Sequence, residues 1–567
     1  MEHGIIHIES EDVTSYLPSP QLSEQYRKLL HQKSFDRVRI KTPLFTKEYD
    51  KNLNLSSIEP FFVDVRVTPA PKNALLQEEY LLKTGAQVMI TKQESDIIPT
   101  YNLVMPEMFL SFRELRELKK EFEQFTQSGH TTNAYVKRWY QDFGVLEHLF
   151  FDDQVLEINI NPPAYKTPIR IVHSKHQEVV TNIYPSEEML NYLSTRLKIT
   201  TGRPLNRSQT QLDGEIAIEN QRARVAAIIE PFSVFGIGFS IRKHRQNPWT
   251  LPLLMEKKSI NDWFSGLMSF MITHGRTFLT AGPRGSGKTS LLGALVIEIL
   301  PKYRIITIED TQELPIDYYR EMGYDLLALK VRSALIKDGI EMPFDTGLRT
   351  SLRLGDSALI IGEVRSKEAH VLYEAMRVGA MSNTVAGTIH ADNPYGVYDR
   401  VVNDLGVPKG SFKATDLIII QKLIKSPTGL GRQRRVVSVT EVLKHWEDEP
   451  VFQDLLLYDP ASDSLQPTPY LLEGKSETIK SILLNTQGYQ SYQDALADIS
   501  LRGWVKALHV QLAEEHKEKL EASFVGRANT LFAHLFETMQ PLKGPEEQEK
   551  FKRELAHQLS DLLTSSR

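Results

Sequence analysis

The sequence predicts an α/β fold divided into several domains, and three observations lead to that prediction. Strands and helices alternate between residues 255 and 440, where the strand candidates are apolar throughout. Strands of this kind are typical of a parallel sheet that helices cover on both faces. A second region, residues 130–245, alternates shorter strands and helices. The chain of 567 residues is also too long for one core, and usual domain sizes suggest about three or four domains.

The domain boundaries follow changes of pattern along the chain. Residues 1–100 mix short apolar pieces with turns and predict an N-terminal extension, whose role the pattern does not reveal. Residues 101–246 predict an α/β domain that begins with an amphipathic helix over Phe109–Phe125, capped by Ser111. The Pro-containing segment 247–254 predicts a linker. Residues 255–505 predict a larger domain with a helical end, and residues 506–567 predict a helical tail.

The larger domain contains five strand candidates. They are Thr277–Ala281, Arg304–Asp310, Ala358–Val364, Thr384–His390 and Leu417–Ile424. Open α/β folds bind their ligands at the carboxyl edge of the sheet. Polar residues that end or follow these strands are therefore the candidate site.

The composition is that of an ordinary globular protein, with 41% hydrophobic and 25% charged residues. The formal net charge of −5 gives no general reason to expect nucleic-acid binding, although a local basic patch stays open. The absence of cysteine excludes disulfides, cysteine-zinc sites and thiol catalysis. The first residues show no signal-peptide pattern, and the sequence has no apolar run long enough for a membrane span. We therefore expect a cytoplasmic protein.

The first candidate site is a glycine-rich turn between a strand and a helix, residues 282–289, GPRGSGKT. It matches the pattern G-x-x-x-x-G-K-[ST], whose backbone N–H groups point at a polyphosphate beside a helix N-terminus. Lys288 is expected at the β- and γ-phosphates, and the Thr289 hydroxyl at Mg²⁺. The alternative is a glycine-rich turn with a surface lysine, but the flanking strand and helix favour nucleoside triphosphate binding. The predicted binding residues are Gly282, Pro283, Arg284, Gly285, Ser286, Gly287, Lys288, Thr289 and Ser290.

Two further strands end in carboxylates. Glu309 and Asp310 end the run IITIED, where a carboxylate could orient a water molecule or help to hold Mg²⁺. The alternative for Glu309 is a structural cap at the end of the strand. Glu363 follows the run ALIIG, and we expect it to polarise the attacking water or to bind Mg²⁺ through water. The alternative for Glu363 is a structural carboxylate.

Histidine and arginine complete the candidate site. His390 ends the strand TVAGTIH and is a candidate γ-phosphate sensor, although a single histidine is more often structural. Arginine suits bidentate phosphate contacts and stabilises transition-state charge, but each arginine could instead pair with a carboxylate such as Glu215 or Glu219. The candidates are Arg222, Arg224 and Arg242 in the smaller domain and Arg349, Arg353 and Arg365 in the larger one.

Taken in order, these motifs resemble those of the type II and type IV secretion and pilus-assembly ATPases. GPRGSGKTS, IITIEDTQEL, SLRLGDSALIIGEVRSKEA and AGTIHAD are similar to the Walker A, aspartate-rich, Walker B and histidine boxes of that family. GFSIRKH and FGVLEHLFFDDQVLEININ resemble parts of its N-terminal domain, so the resemblance covers residues 95–505. Leu354-Gly355-Asp356 stands where the family usually has Arg-Pro-Asp, and the tetracysteine zinc element of many bacterial members is absent. RRVVSVTEV and the lack of cysteine are most similar to the archaeal branch.

The resemblance implies a RecA-like P-loop motor domain preceded by a smaller α/β domain that closes over the nucleotide. It implies hydrolysis of ATP with Mg²⁺ by a homohexameric ring. It also implies a polytopic platform protein as partner, at the inner face of the cell membrane, in a pilus, archaellum or secretion machine. Of the predicted catalytic arginines, Arg242 is favoured because its FSIRK context matches the family.

Three other functions stay open at this point. One is a conjugation-type ATPase of the same superfamily that moves DNA or effector proteins. Another is a RecA-like motor on nucleic acid, which the net acidity and the lack of an aromatic and basic groove disfavour. The third is a scaffold that binds ATP without hydrolysis, which the intact Lys288, Thr289 and Glu363 disfavour.

Overall fold

A computed structural model gives the fold of the chain, which divides into two compact units, Met1–Gln246 and Asn247–Arg567. The structure describes residues 5–9, 37–41, 45–50, 55–68, 70, 73–219, 221–331, 346, 350–351, 354, 357–365, 368–379, 383–428, 431–540 and 544–564. Within these ranges, no helix combines the length and the apolar character that crossing a bilayer requires.

The first unit is dominated by a large, mostly antiparallel sheet. The strands of the first unit, in chain order, are β1 (Ile5–Glu9), β2 (Arg37–Lys41), β3 (Phe45–Asp50), β4 (Leu55–Pro60), β5 (Val65–Val67), β6 (Leu75–Leu81), β7 (Gln87–Lys92), β8 (Thr100–Val104), β9 (Val155–Ile160), β10 (Arg170–His173), β11 (Gln177–Thr181), β12 (Ile183–Pro185), β13 (Gln211–Ile218), β14 (Gln221–Ile228) and β15 (Gly238–Lys243). The large sheet has the order β13-β14-β15-β9-β10-β11-β8-β7-β6, and β8 and β11 run parallel in it. Strands β1 to β4 form a separate sheet, and β12 pairs with β5.

Short helices accompany this sheet. They are α1 (Phe112–Ser128), α2 (Ala134–Val136), α3 (Val145–Phe150) and α4 (Glu187–Thr201), with a 3₁₀ turn at Pro106–Phe109 and a π turn at Lys137–Gln141. Helix α1 begins after Ser111 because Ser111 and Glu114 form a reciprocal capping box. It ends at Gly129, whose φ of 71° is the left-handed conformation that glycine adopts without strain.

The boundary expected at residue 100 falls inside the large sheet. Strand β8 crosses it and pairs with β11 through Thr100 and Tyr101. Tyr101 is fully buried, and its hydroxyl donates a hydrogen bond to Asp152 Oδ2 at 2.8 Å. Residues 75–104 are therefore part of the same sheet as residues 155–243. Pairing between strands so far apart in the chain leaves no local pattern in the sequence.

The second unit is built on one long sheet, parallel in its first part and antiparallel in its last. The strands are β16 (Phe278–Ala281), β17 (Ile305–Glu309), β18 (Leu326–Lys330), β19 (Ala358–Ile361), β20 (Val385–Ile389), β21 (Leu417–Lys425), β22 (Arg432–Val442), β23 (Phe452–Asp459) and β24 (Ser464–Pro467). Their order is β18-β17-β19-β20-β16-β21-β22-β23-β24. Neighbours run parallel from β18 to β21 and antiparallel from β21 to β24.

Helices cover both faces of this sheet, as the apolar strands predict. They are α5 (Leu251–Glu256), α6 (Asp262–Thr273), α7 (Lys288–Val296), α8 (Ile316–Glu321), α9 (Glu368–Gly379), α10 (Pro394–Asp399), α11 (Lys409–Phe412), α12 (Pro469–Leu472), α13 (Glu477–Asn485), α14 (Tyr492–Leu512), α15 (Ala522–Met539) and α16 (Pro545–Thr564). Ile360 and Ile419 belong to the core cluster of α6 and α7, whereas Leu359 and Ile418 belong to that of α9. The predicted α/β class is confirmed, with a smaller α/β unit first in the chain and a larger unit with a mostly parallel sheet after it.

Two expected boundaries of the second unit differ from the structure. Residues 247–254 are not a separate linker, because Thr250 caps α5 and donates a hydrogen bond from Oγ1 to the carbonyl oxygen of Leu520 at 2.6 Å. The tail expected from residue 506 begins inside α14, where Gly503 packs so closely that an added Cβ would lie 2.5 Å from the carbonyl oxygen of Asp262. The C-terminal helices are therefore part of the second unit.

Candidate active site

The glycine-rich loop connects β16 to α7, as the motif requires. Gly285 and Gly287 have φ angles of 79° and 98°, which glycine adopts more readily than other residues. An added Cβ on Gly282 would lie 2.2 Å from the carbonyl oxygen of Gln421, so only glycine fits against the neighbouring strand. The first N–H groups of α7 have no partner within a helix, and they point toward the loop. This is the backbone arrangement that binds phosphate.

Lys288 is buried beneath this loop, with 7% of its surface exposed. Its Nζ donates hydrogen bonds to the carbonyl oxygens of Gly282 at 3.0 Å and Pro283 at 3.1 Å. A buried ammonium needs such partners. Ser286 Oγ is also buried and has no hydrogen-bond partner in the part of the chain that the structure describes. A cation and helix N–H groups thus fit a polyphosphate, and the nearby Thr289 hydroxyl can serve a magnesium ion.

The predicted acidic residue and histidine meet at the edge of the same sheet. Strands β19 and β20 are parallel neighbours, so Glu363 and His390 follow them at the same edge. His390 Nε2 lies 3.2 Å from Glu363 Oε1, and His390 Nδ1 lies 3.4 Å from Lys288 Nζ. Since the ammonium can only donate, Nδ1 is the acceptor and Nε2 carries the proton toward Glu363. His390 therefore connects the lysine of the loop with the acid of the neighbouring strand.

Arg365 occupies the other side of Glu363. Its Nη2 donates to Glu363 Oε2, and its Nη1 donates to Asp310 Oδ2 at 3.2 Å. Burial by itself would raise the pKa of the Glu363 carboxyl, but the hydrogen bonds from His390 and Arg365 outweigh it and lower the pKa to about 2. Glu363 is therefore an anion across the physiological pH range.

Glu309 lies deeper, with 4% of its surface exposed. Its Oε1 accepts hydrogen bonds from the backbone N–H groups of Glu313 at 3.0 Å and Leu314 at 3.2 Å. Its side chain packs against Gly362, where an added Cβ would lie 2.9 Å from Glu309 Cγ. Burial raises the pKa of the Glu309 carboxyl to about 8, although the two backbone hydrogen bonds oppose this. These contacts hold the loop after β17, as expected of a structural carboxylate, and a role at the nucleotide stays a prediction.

The candidate arginines fall into separate groups. Arg222 and Arg224 share the partly exposed face of β14, and the register places Arg224 opposite Arg242 of β15. Arg224 pairs with Asp213, and Arg242 Nε lies 3.5 Å from Glu157 Oε1. Their role at a nucleotide stays a prediction. Arg349 and Arg353 lie outside the described residues. So do Gly355 and Asp356, which belong to the tripeptide that stands where the family usually has Arg-Pro-Asp.

Comparison with known proteins identifies the family. A family model described as "Type II/IV secretion system protein" matches residues 156–450, more than half of the chain. The chain belongs to this secretion and pilus-assembly ATPase superfamily. The resemblance inferred from the four boxes is thereby confirmed. Within the described residues, no group of three or more histidine, cysteine, aspartate or glutamate side chains is arranged to hold a metal ion.

Several known proteins are similar to parts of the chain. An uncharacterized protein of Methanocaldococcus jannaschii is 28% identical over 271 residues, which cover 46% of this chain and 35% of that protein. A protein of Mycobacterium tuberculosis, provisionally named for conjugal transfer, is 29% identical over 214 residues, or 37% of this chain and 59% of that one. The chain thus aligns with about a third to three fifths of the length of these relatives. The crystal structure of the Legionella pneumophila ATPase DotB is 18% identical, with a TM-score of 0.39, and the match covers 65% of this chain and 94% of DotB.

The sequence motifs do not single out two residues that contact the phosphate loop. Gln421, in β21, packs its carbonyl oxygen against Gly282. Arg434, in β22, donates a hydrogen bond from Nε to the carbonyl oxygen of Gly285 at 3.0 Å. The polar Gln421 within the apolar run LIIIQKLI is a signal that could have been noticed. Arg434 belongs to a run of basic residues and carries no such signal.

Proposed function

We propose that this chain hydrolyses ATP with Mg²⁺ and drives a secretion machine or a type IV pilus or archaellum-like assembly machine. The observation that carries the proposal is the hydrogen-bonded series from Lys288 through His390 to Glu363, beside a loop built for phosphate. We further propose that the chain acts as a homohexameric ring on a polytopic membrane platform protein, and that turnover changes the angle between its two units.

Lys288 is the cation that binds the phosphates of the nucleotide. Its ammonium exchanges the carbonyl oxygens of Gly282 and Pro283 for the β- and γ-phosphate oxygens, because anionic oxygens are the stronger acceptors. His390 Nδ1 loses its donor in the same movement, so the histidine responds to the presence of the terminal phosphate. This is the sense in which we propose that His390 is a γ-phosphate sensor.

Glu363 orients the attacking water. A carboxyl with a pKa of about 2 is a weak base, so it holds the water by accepting a hydrogen bond more than by removing its proton. Phosphoryl transfer passes through a loose transition state, for which positioning and charge matter most. When Mg²⁺ is bound, the Thr289 hydroxyl and, through water, Glu363 hold it, and it supplies positive charge to the phosphates.

The test is steady-state ATP hydrolysis by the purified chain with Mg²⁺. The Lys288→Ala variant should lose hydrolysis and bind ATP more weakly, because the buried phosphates lose their cation. The exposed Lys480→Ala variant is the matched control and should hydrolyse ATP at the wild-type rate. Wild-type turnover in Lys288→Ala would contradict the assignment of the phosphate loop.

A second candidate is a conjugation-type ATPase that moves DNA or effector proteins. The similarity to the Mycobacterium tuberculosis protein named for conjugal transfer favours it. The neighbouring genes distinguish the two candidates. A platform membrane protein with prepilin-like genes supports assembly of an appendage, whereas relaxase or coupling-protein genes support conjugation.

A further inference from the structure

Gln421 is a buried polar residue at the level of the phosphate loop. Strands β16 and β21 are parallel, with Ala281 opposite Ile420, so Gln421 follows at the height of Gly282. The pairing of β21 with β22 shifts register between Ile420 and Gln421. Such irregularities redirect a side chain and are common beside active sites. Gln421 is 1% exposed, and its Oε1 has no hydrogen-bond partner among the described residues.

The side chain of Gln421 points at the loop. An added Cβ on Gly287, the residue at the N-terminus of α7, would lie 3.2 Å from Gln421 Nε2 and 3.7 Å from its Cδ. The backbone of Gln421 contacts the first glycine of the loop, Gly282, as described above. Gln421 therefore lies beside the loop at its first and last glycines, with its backbone at Gly282 and its side chain at Gly287.

Ser286 is another buried polar residue at the loop, and its Oγ has no hydrogen-bond partner in the described chain. It is 0% exposed, and its Oγ would lie 2.7 Å from a Cβ added to Gly282, a point 2.2 Å from the backbone carbonyl oxygen of Gln421. Ser286 also directly precedes Gly287, the residue beside which the side-chain amide of Gln421 lies. The hydroxyl can donate and the amide oxygen can accept, so one hydrogen bond between them would satisfy both groups. Buried polar groups are rarely left without a partner, and each one in a native protein calls for an explanation.

We propose that Gln421 is a positioning residue for the nucleotide phosphates, which accepts a hydrogen bond from the Ser286 hydroxyl when phosphate occupies the loop. Phosphate draws Lys288 away from the carbonyl oxygens of Gly282 and Pro283. The loop between these residues and Gly287 then moves toward the side chain of Gln421. The bond forms only with nucleotide, so it contributes to affinity and leaves the unliganded protein unaffected. This inference rests on the proposed nucleotide binding and adds a residue outside the known boxes.

The experiment is a double-mutant cycle on the full chain, with Ser286→Ala, Gln421→Leu and the combined variant. Calorimetric titration with MgADP measures the dissociation constant, and thermal unfolding without nucleotide measures stability. Each single variant should bind MgADP about tenfold more weakly, as for the loss of one buried hydrogen bond. The combined variant should bind MgADP no more weakly than the single variant with the larger dissociation constant, because both substitutions remove the same bond. Gln466→Leu, on the exposed edge strand β24, is the matched control and should bind MgADP as the wild type does.

Stability separates positioning from a structural role. Gln421→Leu should melt no lower than the wild type without nucleotide, because leucine removes a buried oxygen that lacks a partner. A melting temperature lowered in Gln421→Leu with unchanged affinity, or additive losses of affinity in the cycle, would overturn the inference. If Gln421→Leu does not fold, Gln421→Met replaces it in the same cycle. A wild-type chain that fails to bind MgADP would contradict the proposed function itself, whereas normal wild-type binding with an additive cycle contradicts only the role of Gln421.

Discussion

At the scale of single residues, the candidate site is a chain of alternating charge. Lys288 and Arg365 are cations, Glu363 and Asp310 are anions, and His390 lies between Lys288 and Glu363. Each charge is partly buried and has a partner, so removal of one group leaves its neighbour without compensation. The choice of substitution therefore matters as much as the position.

Glu363→Gln tests the charge of the acid without changing its shape. The amide still accepts a hydrogen bond from Arg365, so ATP should bind, but the water and the magnesium ion lose an anion. Turnover should fall by about 10²-fold or more. Measurement of kcat together with the ATP dissociation constant checks this. Glu447→Gln, in an exposed segment, is the control. Turnover near the wild-type level in Glu363→Gln would shift the catalytic role to Glu309.

Glu309→Gln is expected to change how stability depends on pH. The folded protein keeps the proton of Glu309 up to a pKa of about 8, whereas the unfolded chain releases it near the ordinary value of 4.5. The folded state binds more protons between these values, so the contribution of Glu309 to stability falls as the pH rises through this window. Glutamine resembles the protonated carboxyl and does not titrate. The free energy of unfolding of Glu309→Gln, relative to that of the wild type, should therefore increase from pH 5 to pH 8 by a few kcal/mol.

Urea unfolding of both proteins at pH 5, 6, 7 and 8 measures this difference. A constant difference across the series would show that Glu309 is ionised in the folded protein, which would make it a better candidate for a direct role at Mg²⁺.

At the scale of secondary-structure elements, the register of antiparallel strands aligns the arginines of the first unit. Glu215, Arg224, Arg242 and Glu157 lie side by side across β13, β14, β15 and β9. Residues two apart on a strand share a face, so Arg222 lies on the same face as Arg224. Two arginines directly opposite each other repel, and the flanking carboxylates partly offset this. An anionic ligand would relieve the same repulsion.

Arg222→Ala, Arg224→Ala and Arg242→Ala test whether these arginines act on the nucleotide. An arginine that stabilises developing charge on the γ-phosphate contributes about 10³-fold or more to turnover. We expect at least one of Arg222, Arg224 and Arg242 to show such a loss, with Arg242 favoured, while ATP binding is largely kept. Arg170→Ala, on an exposed position of β10, is the matched control. Normal turnover in all three alanine variants would leave the first unit without a catalytic role.

At the scale of the whole molecule, the candidate site and three of the candidate arginines lie in different units. The phosphate loop, Glu363 and His390 belong to the second unit, which has its own core, and the candidate arginines Arg222, Arg224 and Arg242 belong to the first. Within the second unit, Lys506 of α14 forms a buried ion pair with Glu298, 2.8 Å away and just after α7. The end of the loop helix is thus fixed to the C-terminal helices.

A fragment of residues 247–567 tests whether the second unit alone binds nucleotide and whether turnover needs the first unit. It should bind MgADP with near wild-type affinity, because every predicted phosphate-binding residue is present. Its turnover should be about 10³-fold or more lower than that of the full chain, since the arginines of the first unit are missing. Titration and a hydrolysis assay on both proteins measure the two effects. Full turnover in the fragment would mean that the first unit serves only for docking.

The sequence by itself determined the local features of this protein. The phosphate loop depends on consecutive residues with fixed conformational demands, so a motif reveals it. The five strand candidates of the second unit are all strands, because apolar runs ending in polar residues describe a buried parallel sheet. Ser111 caps its helix for an equally local reason.

Tertiary structure decided what depends on contacts between distant segments. The sheet that crosses residue 100 depends on pairing of β8 with β11, some 80 residues away, which no local pattern encodes. Burial decided that Glu309 keeps its proton, because the surrounding core withholds the water that would solvate its charge. Tertiary structure also decided the position of Gln421 beside the loop, because that position follows from the pairing of β21 with β16. Local sequence determines which groups are available, whereas long-range packing determines which of them lie beside the glycine-rich loop and in what charge state.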